Sequence, residues 1–194
     1  MPIFLGPIFL GPIFPASIFD DLNRRESELV ERLVPAGPAP RPLLAVSVAA
    51  NGSRLWFGIA ALMALRPSLR RTAAEGVVAA LLAAGVTQVL NRLVGRPRPS
   101  ADHPARRALP RQPLAPSFPS SHTAVATAFT TAVARRDPKL GAALVPLALT
   151  LAYGRVRLRV HWPTDVLGGA MLGVAAGRRA ADVTPARWAG SAPR

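Results

Sequence analysis

The chain is built from apolar runs that end in arginines. The runs cover residues 43–65, 72–94, 120–134, 140–153 and 166–177, and basic clusters follow at 66–71, 92–98, 135–139 and 178–179. Half of the residues are hydrophobic and the mean hydropathy is +0.27, although the formal net charge is +14. Apolar helices with basic ends are typical of proteins that cross a membrane several times. We therefore predict an all-α fold, a multi-spanning transmembrane bundle of about five to six helices.

The strong positive charge also raises the question of nucleic-acid binding. Of the 24 basic residues only Lys139 is a lysine. They stand at the ends of apolar runs instead of forming one face, and the sequence has neither a zinc-ligand pattern nor an RNA-binding aromatic signature. We predict no nucleic-acid partner and expect the chain to contact the membrane bilayer. The chain has no cysteine, so disulfides and thiol chemistry are excluded.

Two segments precede the apolar runs. Residues 1–16 repeat the motif PIFLG and contain several helix-breaking prolines, so we predict an irregular apolar tail. Residues 17–36 predict an amphipathic helix that either lies on the membrane surface or packs on the domain. Its apolar face holds Ile18, Phe19, Leu22, Leu29, Val30 and Leu33.

The main domain is predicted over residues 43–179, followed by a polar tail at 180–194. Its first run is interrupted by Asn51-Gly52-Ser53-Arg54, so it is either one imperfect span or two short helices joined by a turn. The last three runs have only about 12–15 residues, fewer than the ~20 that a full crossing requires. We expect arginines at their ends to extend them, or the bundle to be partly buried in itself.

The stretch from Tyr153 to Asp165 carries the first chemical signal. It holds Arg155, then His161, then Asp165. A carboxylate one helical turn after a histidine can fix the ring tautomer, and an upstream arginine can hold an anion, which suits a phosphate-directed nucleophile. Taken alone, the same trio is also typical of a solvated helix end.

Counting helices brings two further stretches to the same membrane face. Residues 119–122 place Ser120 and Ser121 at a helix N-terminus, where free N–H groups favour an anion, and His122 can protonate a leaving oxygen. Residues 96–99 add Arg98. Each feature has a plainer explanation, namely a helix cap or an arginine that extends to the interface. Their joint arrival on one face with His161 and Asp165 indicates a site.

Together these stretches resemble the type 2 phosphatidic acid phosphatase superfamily, which includes lipid phosphate phosphatases, polyprenyl diphosphate phosphatases and vanadium haloperoxidases. The family pattern is Lys-x6-Arg-Pro, then Pro-Ser-Gly-His, then Ser-Arg-x5-His-x3-Asp. The match covers about residues 72–177. In this chain the pattern reads Asn91-x6-Arg98-Pro99, Pro119-Ser120-Ser121-His122 and Gly154-Arg155-x5-His161-x3-Asp165.

The resemblance implies a division of roles at the site. His161 would attack phosphorus to form a phosphohistidine, Asp165 would orient His161, and His122 would act as general acid and then general base. The phosphate would be held by Arg98, Arg155, Ser120 and Ser121. The resemblance implies neither a metal nor a cofactor, because arginines and amides carry the charge stabilisation.

Three positions depart from the family pattern. Ser121 replaces a glycine but keeps the backbone N–H, and Gly154 lacks the hydroxyl of the usual serine. Asn91 replaces the lysine, so a cation becomes a neutral amide and contributes only weakly to phosphate binding. Loss of one such donor corresponds to about 2–3 kcal/mol of transition-state stabilisation. Arg92 and Arg96 are nearby cations, although neither occupies the matching position.

The predicted function is that of a membrane phosphatase acting on a lipid phosphate or diphosphate through a phosphohistidine. A polyprenyl substrate is the first expectation and a phosphatidic acid-like lipid the second. Two alternatives remain: a non-catalytic lipid-phosphate-binding membrane protein, motivated by Asn91, and a vanadate-dependent haloperoxidase. We expect a multi-pass protein of the cell membrane. The two faces carry nearly equal numbers of basic residues, so the resemblance, with the arginines committed to phosphate, favours a site on the extracytoplasmic face.

Overall fold

The structure, a computed structural model, describes residues 12–35, 37–100, 103–107, 109 and 113–184. Within this part of the chain there are eight α-helices and no β-strand, as the apolar runs predict. Most of the predicted tail at 1–16 and of the polar tail at 180–194 lies outside the described residues. The helices are α1 (Asp20–Leu33), α2 (Arg41–Ala49), α3 (Arg54–Ala64), α4 (Arg70–Val94), α5 (Pro104–Arg107), α6 (Ser121–Arg136), α7 (Pro138–Arg157) and α8 (Pro163–Val183).

Helix α6 forms the centre of the bundle. It contacts α4, α7 and α8, and its side chains Ala124, Ala128 and Phe129 are fully buried. On the α4 side, Phe129 packs against Trp56 of α3 with 5.5 Å between ring centroids. Because α6 carries the predicted His122 and α7 and α8 flank the predicted His161, this packing holds the two histidine segments together.

Glycines on α8 allow it to approach α6 at backbone distance. A Cβ added to Gly169 would lie 2.5 Å from the carbonyl oxygen of Ser120, and one on Gly173 would lie 2.4 Å from that of Ala124. Gly177 meets Ala128 in the same way, at 2.6 Å. The three glycines are four residues apart and therefore share one helix face. This face fixes the spacing between the start of α6 and the start of α8.

The predicted number of membrane spans is not confirmed. By length and composition, the segments Pro67–Val94 and Pro138–Arg157 can each cross a membrane. The segments Arg41–Ala49 and Asn51–Ala64 form a third candidate span only if the two, which meet at a bend of 64°, are counted as one span. Two to three candidate spans in the described residues do not confirm the expected five to six. The central α6 has only 16 residues and is rich in alanine and threonine, so it does not resemble a lipid-facing span.

The last two helices are longer than predicted. Helix α7 has 20 residues and α8 has 21, whereas the apolar runs suggest 140–153 and 166–177. Each starts with a proline at its first turn, where the missing N–H removes no hydrogen bond, and Asp137 caps α7 by accepting from Leu140 N–H at 3.0 Å. Both continue through arginines that ended the apolar runs. The helices are therefore extended through the arginines at their ends, one of the two expected alternatives, because buried or solvent-facing arginines do not stop a helix.

The interrupted run at 43–65 forms two helices, one of the two alternatives. Gly52 and Ser53 take left-handed conformations, with φ of 60° and 63°, and they turn the chain between α2 and α3. Glycine adopts this conformation at no steric cost. The turn brings Asn51 into contact with His122, whose Nε2 lies 3.3 Å from Asn51 Oδ1.

Helix α1 packs on the domain, which is one of the two alternatives for the amphipathic segment, and a position at the membrane surface stays a prediction. One face packs on the domain and buries Glu26 and Val30. A neighbouring stripe of apolar side chains points outward, as expected for a helix at the surface of a membrane. This exposed stripe consists of Ile18, Leu22, Leu29 and Leu33.

Candidate active site

The first site segment follows α4. Gly95 ends that helix in a left-handed conformation, with φ of 68°, and an extended loop then carries Arg98. The guanidinium of Arg98 donates to the carbonyl oxygens of Ala115 and Pro116 at 2.7 and 3.1 Å, and to that of Val160 at 2.6 Å. Burial lowers the pKa of Arg98 to about 10, so it stays charged at neutral pH. The three carbonyls fix its position.

Asn91 lies on the last turns of α4 but does not face the cavity described below. Its Nδ2 donates to the carbonyl oxygen of Pro119 at 3.0 Å, and the side chain is buried. Arg92 is exposed, and Arg96 is directed toward α1 and α8. None of the three supplies the cation that the family pattern has at the position of Asn91. Asn91 instead anchors the loop before α6.

Ser120 and Ser121 begin α6 but do not line the main cavity. Ser120 is fully buried, and its Oγ caps the helix by accepting from Thr123 N–H at 3.4 Å. Its N–H donates to the backbone carbonyl of Asp165 at 2.9 Å. Ser121 borders a smaller neighbouring cavity of about 170 Å³, together with His122. The hydroxyl of Ser120 thus acts as the helix cap that was the plainer explanation.

His161 follows α7 in a tight turn and is 5% exposed. Its Nδ1 lies 2.8 Å from the carbonyl oxygen of Ser117, which can only accept, so Nδ1 carries the proton. The other nitrogen, Nε2, is then unprotonated and lies 3.2 Å from Nη1 of Arg98. Burial is the main cause that lowers the pKa of His161 to about 4. The ring is therefore neutral and has a lone pair on Nε2.

Asp165 is fully buried next to this ring. Its Oδ2 accepts from Trp162 N–H at 2.8 Å and lies 3.6 Å from His161 Nδ1, which is longer than a hydrogen bond. Its Oδ1 accepts from Arg96 at 2.8 Å. The sequence places the carboxylate next to His161 correctly. It misses the Ser117 carbonyl, which makes the direct contact, because any residue type offers a backbone carbonyl.

Arg155 lies on the last turn of α7 and is 4% exposed. Nothing in the described part of the chain accepts a hydrogen bond from its Nε or Nη2. A buried guanidinium normally has all of its N–H groups paired, since leaving one unpaired costs about 1–3 kcal/mol or more. The unpaired groups therefore indicate a place for an anion.

Arg98, His122, Arg155 and His161 all line one cavity of about 610 Å³. His122 lines it next to the turn between α2 and α3, and Asn51 and Arg54 contribute from that turn. Sequence reasoning used these two only as helix breakers, yet polar residues inside an apolar run were a usable signal. In the described part of the chain, no group of three or more His, Cys, Asp or Glu side chains could hold a metal ion. The charged and titratable side chains on the wall are Arg54, Arg98, His122, Arg155 and His161.

A helical bundle with two histidines and three arginines around one cavity is an arrangement suited to phosphoryl transfer. A sequence model of the PAP2 superfamily matches residues 73–189. The chain belongs to this superfamily, and it is a phosphatase that hydrolyses phosphate esters.

Curated relatives agree with this assignment. The chain is 36% identical over 124 residues to decaprenylphosphoryl-5-phosphoribose phosphatase of Mycobacterium tuberculosis, covering 63% of this chain and 67% of that protein. It is 34% identical over 105 residues to undecaprenyl-diphosphatase BcrC of Bacillus subtilis, covering 50% and 54%.

Two crystal structures share the fold. The LpxE protein of Aquifex aeolicus aligns with a TM-score of 0.60 at 22% identity, over 84% of this chain and 93% of that chain. A transmembrane PAP2-type phosphatidylglycerolphosphate phosphatase of Bacillus subtilis aligns with a TM-score of 0.62 at 18% identity, over 86% and 89%. At these identities the likeness establishes the fold alone.

Proposed function

We propose that the protein removes a phosphate from a lipid phosphomonoester or diphosphate, with a polyprenyl lipid as first choice and a phosphatidic acid-like lipid as second. The relatives named above act on decaprenyl and undecaprenyl lipids, which supports the polyprenyl choice. The observation that carries the proposal is Arg155, whose buried Nε and Nη2 lie beside the cavity of His161 and lack acceptors among the described residues. A phosphate oxygen supplies the missing acceptors.

His161 is the proposed nucleophile because its Nε2 is unprotonated and faces the cavity near Arg98. The Nε2 lone pair forms a bond to phosphorus while the bond to the leaving oxygen breaks, and that oxygen takes a proton from His122. The imidazole becomes cationic in the phosphohistidine. Asp165, with Oδ2 at 3.6 Å from Nδ1, balances this charge, and the Ser117 carbonyl keeps the ring in place.

Hydrolysis of the phosphohistidine completes the cycle. His122, now neutral, removes a proton from a water that attacks phosphorus on the side opposite Nε2. The bond between nitrogen and phosphorus breaks, and inorganic phosphate leaves. Arg98 and Arg155 hold the oxygens in both halves, so their charge stabilises both transition states.

The membrane arrangement is part of the proposal. The phosphatase domain occupies 43–179 with its motif core at 72–177, and helix α8 runs on to Val183. The lipid chain of the substrate would stay in the bilayer while its headgroup enters the cavity at the extracytoplasmic face of the cell membrane. The apolar lengths of α4 and α7 support a multi-pass position.

The test is phosphate release by the detergent-solubilised protein from undecaprenyl diphosphate, undecaprenyl phosphate and dioleoyl phosphatidic acid. We expect turnover with at least one, loss of turnover in His161→Ala, and an acid-labile 32P adduct that His122→Ala retains and His161→Ala lacks. Equal inactivity of wild type and His161→Ala on all three lipids would refute the enzyme assignment at this site.

A second candidate is a protein that binds a lipid phosphate without turning it over. The position of Asn91 favours it, since this neutral amide stands where the family pattern has a lysine and is bonded to the carbonyl of Pro119. In the same experiment this candidate predicts saturable binding of the lipid phosphate that Arg155→Met weakens, with no phosphate release and no labelled adduct.

A further inference from the structure

Arg96 connects the amphipathic helix α1 to the carboxylate beside His161. The side chain is 1% exposed, and its guanidinium donates five hydrogen bonds. Nε and Nη2 both donate to Asn23 Oδ1, at 3.0 and 2.8 Å, and Nη2 also donates to Glu26. Nη1 donates to Thr164 Oγ1 at 2.6 Å and to Asp165 Oδ1 at 2.8 Å. All of its N–H groups are thus paired.

Glu26 also binds the start of α8 directly. Its Oε1 accepts from Thr164 N–H at 2.7 Å and its Oε2 accepts from Thr164 Oγ1 at 3.0 Å. The side chain of Glu26 is 7% exposed. Thr164 is the residue next to Asp165, so α1 and α8 are fixed to each other at the position of the site carboxylate.

The charges of this group have a consequence for His161. Arg96 alone would neutralise Asp165, because the two are paired at 2.8 Å with both side chains almost fully buried. Glu26 supplies a second negative charge on the opposite side of Arg96. The three together keep a net negative charge beside His161, and an interaction of this kind is strong where water is excluded. A net negative charge stabilises the imidazolium that forms on phosphorylation.

A purely structural purpose explains the arrangement less well. Burying charged pairs is weak evidence for stability, since apolar groups of similar volume often hold two helices equally firmly. Here the buried charges are arranged around the one carboxylate that faces His161.

We infer that Glu26 of α1 is a positioning residue for the phosphatase reaction, acting through Arg96 to hold Asp165 in place and negatively charged toward His161. The inference rests on the proposed function, because it requires His161 to be phosphorylated. It gives α1, which lies outside the family match at 73–189, a part in the chemistry.

The test compares Glu26→Gln with Glu26→Asp and with the matched control Glu28→Gln, which removes an exposed carboxylate from the same helix. Rapid-quench labelling with 32P-undecaprenyl diphosphate measures the rate of phosphohistidine formation. We expect Glu26→Gln to slow this step and kcat by about tenfold, with KM unchanged within twofold. Glu26→Asp recovers part of the rate because it keeps the charge, and Glu28→Gln behaves as wild type.

Thermal unfolding in detergent accompanies the kinetics and separates positioning from folding. A loss of rate in Glu26→Gln that only follows the folded fraction, or a change confined to KM, would overturn the inference. So would a wild-type labelling rate in Glu26→Gln. An adduct that His161→Ala still forms would overturn the proposed function itself, and with it this inference.

Discussion

Arg155 is the residue at which stability and activity are expected to oppose each other. Its buried Nε and Nη2 have no acceptor in the described part of the chain, so the folded protein without substrate carries the desolvation of an incompletely paired cation. We expect Arg155→Met to raise the stability by about 1–3 kcal/mol and to lower kcat/KM by about a hundredfold or more.

Arg157 provides the matched control for that variant. It is equally buried and on the same turn of α7, but it donates to the carbonyl oxygens of Gly37 and Pro38 at 2.8 and 3.0 Å. Arg157→Met should lower stability and leave inhibition by inorganic phosphate unchanged. Unfolding in detergent and phosphate inhibition measure both effects. A less stable Arg155→Met with normal phosphate inhibition would contradict the assignment.

His161 makes the stability depend on pH in a defined direction. Its pKa is lowered to about 4 in the folded protein from 6.5, so between these values the unfolded chain binds a proton that the folded one does not. Stability is therefore lost as the pH falls below 6.5, by on the order of 3 kcal/mol at pH 4. His161→Asn, which keeps a donor for the Ser117 carbonyl, should show a flatter dependence of melting temperature from pH 7.5 to 4.5. Equal slopes in the two proteins would contradict a neutral, buried His161.

For single residues, the sequence predicts which side chains belong to the site better than it predicts what they contact. Arg98, His122, Arg155 and His161 could be brought together because their order and the helix count place them at one end of the bundle. Ser120 could not be assigned, since a hydroxyl at a helix start serves equally as a cap or as a ligand. The backbone carbonyl of Ser117 leaves no sequence signal at all.

Among the helices, the contact between α6 and α8 sets the distance between the two site histidines. A Cβ added to Gly173 would lie 2.4 Å from the carbonyl oxygen of Ala124. This oxygen is a backbone atom and cannot move without shifting α6. We expect Gly173→Ala to destabilise the protein by about 1–3 kcal/mol and to lower kcat, because α8 moves away from α6.

Gly85→Ala is the corresponding control. This glycine lies in α4, and an added Cβ meets nothing within 4 Å, so the substitution should stabilise the helix by about 0.5–1 kcal/mol. Melting temperature and phosphate release test both variants. If Gly173→Ala matched Gly85→Ala in both measurements, the close contact would not exist in solution.

Helix ends were less predictable than helix identities. The sequence identifies α4 well, because that helix is long and mostly apolar. It places the end of α7 at Tyr153 because Arg155 and Arg157 follow, yet both belong to the helix and are buried. Arg155 borders the cavity and Arg157 donates to a loop carbonyl, so tertiary contacts allow both charges to be buried. A sequence pattern in which arginine marks the end of a helix cannot predict such contacts.

For the whole molecule, the absence of cysteine allows a direct test of membrane orientation. Leu114 is 97% exposed in the loop before α6, on the site face, and Lys139 is exposed on the first turn of α7. We expect a membrane-impermeant maleimide to label Leu114→Cys in intact cells and Lys139→Cys only after the membrane is opened. The reverse labelling pattern would place the site on the cytoplasmic face.

The acceptors that hold the site together are mostly backbone atoms. Arg98 is held by the carbonyls of Ala115, Pro116 and Val160, and His161 by that of Ser117. A substitution at Ala115 or Val160 that keeps the backbone path leaves these oxygens where they are. The reacting groups can therefore stay in register when side chains in these loops change.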